Sequence, residues 1–212
     1  QFTRSTGVQY LTINDEVDER SDPYFATEAA ARFLKENHAQ LGTWPLALTA
    51  YNHGRAGMVR AVREKGSYEN IFRTHETELF KFASRNFYSE FLAARRVAAD
   101  YRAYFGDLPL HRPTPKRSLV LEGYARFDEL AAHFDVRPEV LRSLNPALRN
   151  PVFTNQKYVP KGYRLHLPQE VDETLIAAVP AALYQASQKP SRFYTVQKGD
   201  TAQRGQLLVG IE

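Results

Sequence analysis

Residues 43–54, TWPLALTAYNHG, predict a short apolar helix with a polar tip. Thr43 is a candidate N-cap, and the proline that follows suits the first turn, where no backbone N–H is needed. Tyr51 and Asn52 place a phenol beside a carboxamide at the C-terminal end, and Gly54 allows another chain or a ligand to approach closely. These three residues are therefore candidates for binding or catalysis.

Tyr51 and Asn52 also allow a purely structural explanation, in which a half-buried tyrosine and a polar residue simply end a helix. On Ala50-Tyr51-Asn52 alone, that explanation is the better one. The preference for the structural explanation reverses because residues 1–49 carry further motifs, quoted below, whose order and spacing match those of a known protein family.

Helical spacing extends over residues 1–106, which we predict to be all-helical. One helix covers Thr27–Leu41, and Gly42 suits the left-handed residue that ends it. Further helices are predicted at about Ala56–Lys65 and at Asn86–Phe105, each ended by a glycine. The last helix has one apolar face, which predicts burial of Phe87, Phe91, Leu92, Val97 and Tyr101.

A proline-rich linker, residues 107–117, separates the helices from a second pattern. Residues 118–168 predict, in order, a strand, two short helices and a closing strand. Residues 169–192 predict a second linker, and residues 193–212 begin with a strand and a Gly199-Asp200 turn. The predicted fold class is thus multi-domain α+β: a mainly α unit followed by a small β-α-α-β module.

Composition excludes several classes of function. The chain has 212 residues, a net charge of +4 and no cysteine, which rules out disulfides, thiolate metal sites and cysteine nucleophiles. Its basic pairs are isolated, so no nucleic-acid partner is predicted. The histidines show no metal-ligand spacing and no phosphate-binding glycine loop occurs, so no metal or other cofactor is predicted. No segment approaches the roughly 18 apolar residues of a membrane span.

The motifs that carry a family resemblance are, in chain order, Gln1-Phe2, VDERSDP (17–23), TEAAARFL (27–34), WPLALT (44–49) and Ala50-Tyr51-Asn52. Together they resemble the SLT-type catalytic domain of the lytic murein transglycosylases, and most of all the membrane-bound lytic murein transglycosylase D group. That domain shares its fold with goose-type lysozyme. The resemblance covers roughly residues 1–105 and implies a lysozyme-like helical fold. Residues 118–168, with LRSLNP at 141–146, resemble a divergent LysM module, and residues 193–201 resemble the opening of another.

The resemblance implies a peptidoglycan lytic transglycosylase, which cleaves the MurNAc–GlcNAc bond without water and gives 1,6-anhydroMurNAc. In that family one glutamate makes both proton transfers and precedes a Gly-x-x-Gln segment, whose last residue Gln1 resembles. We therefore expect the general-acid glutamate upstream of residue 1, so that the catalytic domain is N-terminally truncated and this chain turns over little substrate. The module at 193–212 is likewise expected to be truncated.

The same resemblance assigns roles to individual residues. Tyr51 would orient the acid through a neutral hydrogen bond, while Gln1, Asn52 and Gly54 would bind substrate. A further family block carries a tyrosine where Phe87 stands here, and Tyr88, one residue later, is a candidate for substrate binding. Since one helical residue turns about 100°, Tyr88 cannot simply replace that tyrosine, and a core role for Phe87 is at least as compatible with the sequence.

Other assignments follow or stay open. The acidic residues nearest the second motif are Glu16, Asp18, Glu19 and Asp22. Glu19-Arg20 is predicted to form an ion pair and Asp22-Pro23 a helix or turn cap, in preference to replacing the missing acid. The implied partner is the peptidoglycan glycan strand, the implied location is the bacterial periplasm or cell envelope, and outer-membrane association is possible for the full-length protein. The alternatives are a non-catalytic peptidoglycan- or chitin-type glycan-binding protein and a structural helical domain with an accidental motif.

Overall fold

A computed structural model describes residues 2–190 of the chain. Gln1 and the predicted module opening at 193–212 lie outside the described residues. The helices are α1 (Arg4–Gly7), α2 (Pro23–Leu41), α3 (Trp44–His53), α4 (Arg55–Lys65), α5 (Tyr68–Thr74), α6 (Phe82–Ala99), α7 (Tyr101–Phe105), α8 (Phe127–His133), α9 (Pro138–Leu144), α10 (Asn150–Phe153) and α11 (Glu173–Ala177). The strands are β1 (Lys116–Val120), β2 (Tyr124–Ala125), β3 (Arg164–Pro168) and β4 (Tyr184–Gln185). The fold class is therefore mixed: mainly helical, with two small two-stranded sheets.

The chain divides into two compact units, which we call the helical unit and the mixed unit. Within the described residues, the helical unit is Thr27–Arg112, and the mixed unit combines residues 2–26 with residues 113–190. This division differs from the predicted one, which joined residues 1–26 to the helices. The difference arises because Val17 is buried in the core of the mixed unit and pairs with Leu148 across an isolated β-bridge.

The helical unit is built around α3, which packs against α4 and α6. Its core consists of apolar side chains from α3, α4 and α5 and from the loop before α6: Leu46, Ala50, Met58, Ala61, Ile71 and Phe80. Burial of these side chains is the main stabilising contribution, because each removes apolar surface from water. Helix α5 was not predicted from the sequence.

The predicted buried face on the long helix is wrong over most of its length. The helix begins at Phe82 and stops at Ala99, where Asp100 leaves helical geometry (φ −128°, ψ 46°) before α7. Phe91 and Leu92 are 40% and 39% exposed. The physical reason is length: α3 spans about 15 Å and α6 about 27 Å at about 1.5 Å per residue, so α3 can cover only the first half of α6.

In the mixed unit two short helices lie between two paired strands, as predicted, but a short strand, β2, and a further helix, α10, also lie between β1 and β3. β1 and β3 pair antiparallel from Lys116↔Pro168 to Val120↔Arg164, with α8 and α9 between them in sequence. Asn145, fully buried after α9, donates to the Leu141 and His166 carbonyls (both 2.8 Å) and accepts from the His166 N–H (2.9 Å). Asn145 therefore ties the end of α9 to β3.

The region predicted as a linker at 169–192 is packed against the mixed unit as far as it is described. It contains α11 and β4, and β4 pairs with β2. Val171 is buried in the same core as Leu165 and Leu167, and the Lys157 ammonium donates to the Lys189 carbonyl at 2.7 Å. The composition of residues 169–192 did not predict this packing, because the contacts join residues that are distant in sequence.

The N-terminal segment is attached to the mixed unit by backbone hydrogen bonds. The Asp18 N–H donates to the Ala147 carbonyl (2.7 Å), and the Arg149 N–H donates to the Glu16 carbonyl (2.9 Å). Among residues 2–190, every helix is too short or too polar to cross a membrane.

Candidate functional site

Helix α3 carries the candidate site at its C-terminal end. Five consecutive residues, Leu46–Ala50, are buried, so the helix is covered on all sides up to the tip. Thr43 occupies the N-cap position, but its side chain makes no capping hydrogen bond among the described residues. The helix is therefore held by packing, which fixes where Tyr51 and Asn52 emerge.

Gly54 closes α3 and starts α4. Its N–H donates to the Ala50 carbonyl at 2.8 Å, and its backbone angles are φ +93° and ψ 138°. Only glycine populates this region without strain. A Cβ added here would meet no atom of the described residues within 4 Å, so backbone conformation requires the glycine.

Tyr51 lies half-buried between two phenylalanines. Its ring centroid is 5.6 Å from that of Phe33 on α2 and 6.0 Å from that of Phe87 on α6, and the Phe87 ring is nearly parallel to it (17°). Burial raises the pKa of the Tyr51 phenol above its ordinary value. The hydroxyl therefore stays protonated near neutral pH and can donate a hydrogen bond without adding charge.

Asn52, next in the sequence, is exposed. Its Oδ1 accepts a hydrogen bond of 2.8 Å from the hydroxyl of Ser84, a buried residue in the first turn of α6. Ser84 was not predicted as a site residue from the sequence. The available signal was the family block with a tyrosine at the position of Phe87, because that block usually has a threonine three residues earlier, where Ser84 stands here.

The structure separates Phe87 from Tyr88, as the helical turn requires. Phe87 stacks on Tyr51, whereas the Tyr88 ring lies edge-on to Tyr68 with centroids 5.5 Å apart. Tyr51, Asn52 and Gly54 are thus brought together at one helix end, and Tyr88 contacts a different aromatic residue. A role for Tyr88 in substrate binding stays a prediction, and Gln1 lies outside the described residues.

A polar network supports the Phe33 side of the site. The fully buried Asn37 donates to the Ala47 carbonyl (3.3 Å) and accepts from Nε of Arg55 (2.8 Å). Arg55 also pairs with Glu36 at 2.8 Å and lies over the Phe33 ring, 5.2 Å from its centroid. The sequence did not indicate Asn37 and Arg55 as site residues, because no feature of the neighbouring sequence distinguishes a buried asparagine on α2 from a solvated one.

His53 completes the last turn of α3. Its ring meets the Phe80 ring edge-on, with centroids 5.0 Å apart, and the His75 ring at 6.5 Å. Burial lowers the pKa of His53, and the nearby positive charges of His75 and Arg60 lower it further. A Cβ on Gly57 would lie 2.6 Å from the His53 Nε2, so this glycine makes room for the ring.

The acidic residues before α2 hold local structure in the mixed unit. Arg20 pairs with Asp18 at 2.6 Å and not with the predicted Glu19, and this contact lowers the pKa of Asp18. Glu19 accepts from the Thr12 N–H (2.6 Å), and Asp22 accepts from the Tyr24 N–H (2.8 Å). The lowered pKa of Asp18 is the opposite of what the apolar setting of a general acid produces. Among residues 2–190, no group of three His, Cys, Asp or Glu side chains could hold a metal ion.

Residues 1–72 match the family model described as Transglycosylase SLT domain. No curated protein matches the chain. The matched residues include α3 with Tyr51 and Asn52, and the SLT domain has a lysozyme-like helical fold. This match supports the lytic transglycosylase family, lyases that act on peptidoglycan, for the part of the chain that carries the candidate site.

Proposed function

We propose that this chain belongs to a peptidoglycan lytic transglycosylase that cleaves the MurNAc–GlcNAc bond without water and releases 1,6-anhydroMurNAc. The observation that carries the proposal lies at the C-terminal end of α3, within the residues that match the family model. There the half-buried phenol of Tyr51, whose pKa is raised, stands beside the exposed carboxamide of Asn52. A neutral donor next to a donor–acceptor amide suits a glycan, whose hydroxyl and acetamido groups offer both donors and acceptors.

In the proposed reaction a carboxylic acid protonates the glycosidic oxygen, and the bond from that oxygen to C1 of MurNAc breaks. The C6 hydroxyl of the same MurNAc then bonds to C1 and gives its proton to the carboxylate, which restores the acid. One group thus serves as acid and base in turn. In the family that the chain resembles, this acid is a glutamate that precedes the Gly-x-x-Gln segment.

Within this scheme Tyr51 orients the acid, and Asn52 binds a substrate hydroxyl or carbonyl group. Gly54 leaves room for the sugar and Tyr88 is a further substrate contact, while Gln1 is assigned to substrate binding by the family resemblance alone. A phenol suits this role because its ordinary pKa of about 10 keeps it neutral at pH 7, so it adds no negative charge next to the carboxylate.

The module at 118–168 is proposed to bind glycan as a divergent LysM module. Its support is the order β1, α8, α9, β3, with Asn145 of the LRSLNP segment buried at the end of α9. A second binding module would raise the local concentration of substrate at the catalytic domain. A periplasmic or envelope location, with outer-membrane association of the full-length protein, belongs to the same proposal.

A non-catalytic peptidoglycan- or chitin-type glycan-binding protein is the alternative. One observation favours it: the carboxylates of Asp18, Glu19 and Asp22 are each engaged in local structure, so none is placed to act as a general acid.

Two measurements test the proposal. Titration of the chain with a GlcNAc trimer, followed by NMR, is expected to shift the signals of Tyr51 and Asn52, and unchanged signals there would contradict both glycan functions. Digestion of purified sacculi with the product of the complete reading frame is expected to release 1,6-anhydro muropeptides. Glycan binding without such products would leave the non-catalytic function in its place.

A further inference from the structure

We propose that Ser84 is a positioning residue: it holds the Asn52 carboxamide so that its NH₂ group, and not its carbonyl oxygen, faces the glycan. The inference rests on the proposed function and sharpens it. It implies that Asn52 recognises an acceptor oxygen of the sugar, such as the carbonyl oxygen of an N-acetyl group.

The burial of Ser84 decides the orientation of the amide. Ser84 is 6% exposed, and its Oγ lies 2.8 Å from Oδ1 of Asn52. A buried hydroxyl needs an acceptor for its hydrogen. Among residues 2–190, Asn52 Oδ1 is the acceptor that this hydroxyl uses. If the amide were rotated by 180°, its NH₂ would face Ser84 and the hydroxyl hydrogen would lose this acceptor.

Because Oδ1 already accepts a hydrogen bond from Ser84, the amide nitrogen of Asn52 is the atom that can donate to a ligand. Asn52 is exposed, and its Nδ2 makes no hydrogen bond to any residue among 2–190. Because the carboxamide is already held on one side, less side-chain freedom is lost when a sugar binds. A glycan carbonyl would then receive an N–H from a preordered donor.

The same face of α6 positions both candidate residues. Ser84 and Phe87 are three residues apart and therefore lie on one side of the helix. Ser84 bonds to Asn52 and Phe87 stacks on Tyr51, which are consecutive residues of α3. The first turns of α6 thus contact both the Tyr51 phenol and the Asn52 amide. Helix α6 therefore positions these two side chains in addition to packing against α3.

The experiment uses the full chain and the GlcNAc trimer. Ser84→Ala is expected to weaken trimer binding about three- to tenfold, the effect of one hydrogen bond. Ser84→Thr keeps the hydroxyl and is expected to bind within about twofold of the wild type. Asn52→Asp keeps the acceptor for Ser84 but has no N–H, so its affinity is expected to fall at least about tenfold. Ser89→Ala is the matched control, because that hydroxyl bonds to Asn86 within α6.

A second readout needs no ligand. Relaxation of the Asn52 side-chain amide in NMR is expected to show an ordered NH₂ group in the wild type and in Ser84→Thr, and a mobile one in Ser84→Ala. A rigid Asn52 amide in Ser84→Ala, or trimer affinity there equal to that of the wild type, would overturn the inference. Absence of trimer binding to the wild type would contradict the proposed function, and the amide relaxation would still decide the role of Ser84.

Discussion

The rings of Tyr51 and Phe87 are stacked, with centroids 6.0 Å apart and planes 17° from parallel. This contact joins the tip of α3 to the first half of α6, at the position where the related family block carries a tyrosine. Phe87 therefore supports the candidate catalytic phenol from one side, while Phe33 supports it from the other at 5.6 Å.

Phe87→Ala is expected to destabilise the helical unit by roughly 1–3 kcal/mol, less than a fully buried phenylalanine would because Phe87 is only half-buried. It is also expected to bring the pKa of Tyr51 back toward its ordinary value, because the phenol loses part of its cover. Urea denaturation followed through α3 amide signals measures the first effect, and an NMR titration of Tyr51 the second. Phe91→Ala, on an exposed part of the same helix, is the control and is expected to change stability by less than about 1 kcal/mol. Equal effects of the two substitutions would contradict a specific role for the stack.

Tyr51→Phe removes one hydroxyl and keeps the ring. Stability is expected to change by less than about 1 kcal/mol, since the stack with Phe87 and Phe33 remains. Release of anhydro muropeptides by the product of the complete reading frame is expected to fall about 10²-fold or more, as for other donors that act on reacting groups. Full activity of this variant would remove Tyr51 from the mechanism.

Gly54→Ala tests whether Gly54 is needed only for its backbone conformation or also to leave room for a sugar. The positive φ of Gly54 is expected to cost roughly 1–3 kcal/mol in the variant. Gly42, also at a helix end with positive φ and with open space around it, supplies the matched control Gly42→Ala. If Gly54 leaves room for the ligand, only Gly54→Ala weakens trimer binding. Similar trimer affinity in both variants would limit Gly54 to a backbone role.

His53 is expected to make the stability of the helical unit depend on pH. Its pKa in the folded chain is lowered, whereas the unfolded chain has a value of about 6.5. The unfolded state therefore binds more protons as pH falls below about 6.5, and stability falls with it. The free energy of unfolding is expected to decrease less between about pH 7 and pH 5 in His53→Gln than in the wild type. His111→Gln, in an exposed segment, is the control, and a slope unchanged in His53→Gln would contradict the prediction.

Asn145→Ala is expected to destabilise the mixed unit by about 2–4 kcal/mol, because the N–H and carbonyl of His166 lose their partner in a buried place. Urea denaturation followed through β3 amide signals measures this. Asn150→Ala, at an exposed position in the same unit, is expected to cost less than about 0.5 kcal/mol. Comparable losses in the two variants would show that Asn145 does not tie α9 to β3.

Local sequence patterns predicted much of the secondary structure. α3 and α4 begin and end within a few residues of their predicted bounds, and α8 and α9 lie within 118–168, where two short helices were predicted, because caps, prolines and glycines act over one helical turn. The glycines at helix ends could be predicted from local sequence in the same way, and Gly42, Gly54 and Gly66 each have a positive φ. Tyr51, Asn52 and Gly54 were selected for the same reason, as neighbours at one helix end.

Long-range contacts set the remaining features, which no local pattern encodes. The bond from Ser84 to Asn52 spans 32 positions, and the bond from Arg55 to Asn37 spans 18. Burial of the predicted apolar face of α6 depended on a partner long enough to cover it, and α3 is too short. The attachment of residues 1–26 to the mixed unit depended on Val17 meeting Leu148. Hydrophobic periodicity predicts that a face can be buried, but whether another element reaches that face depends on the packing of the whole chain.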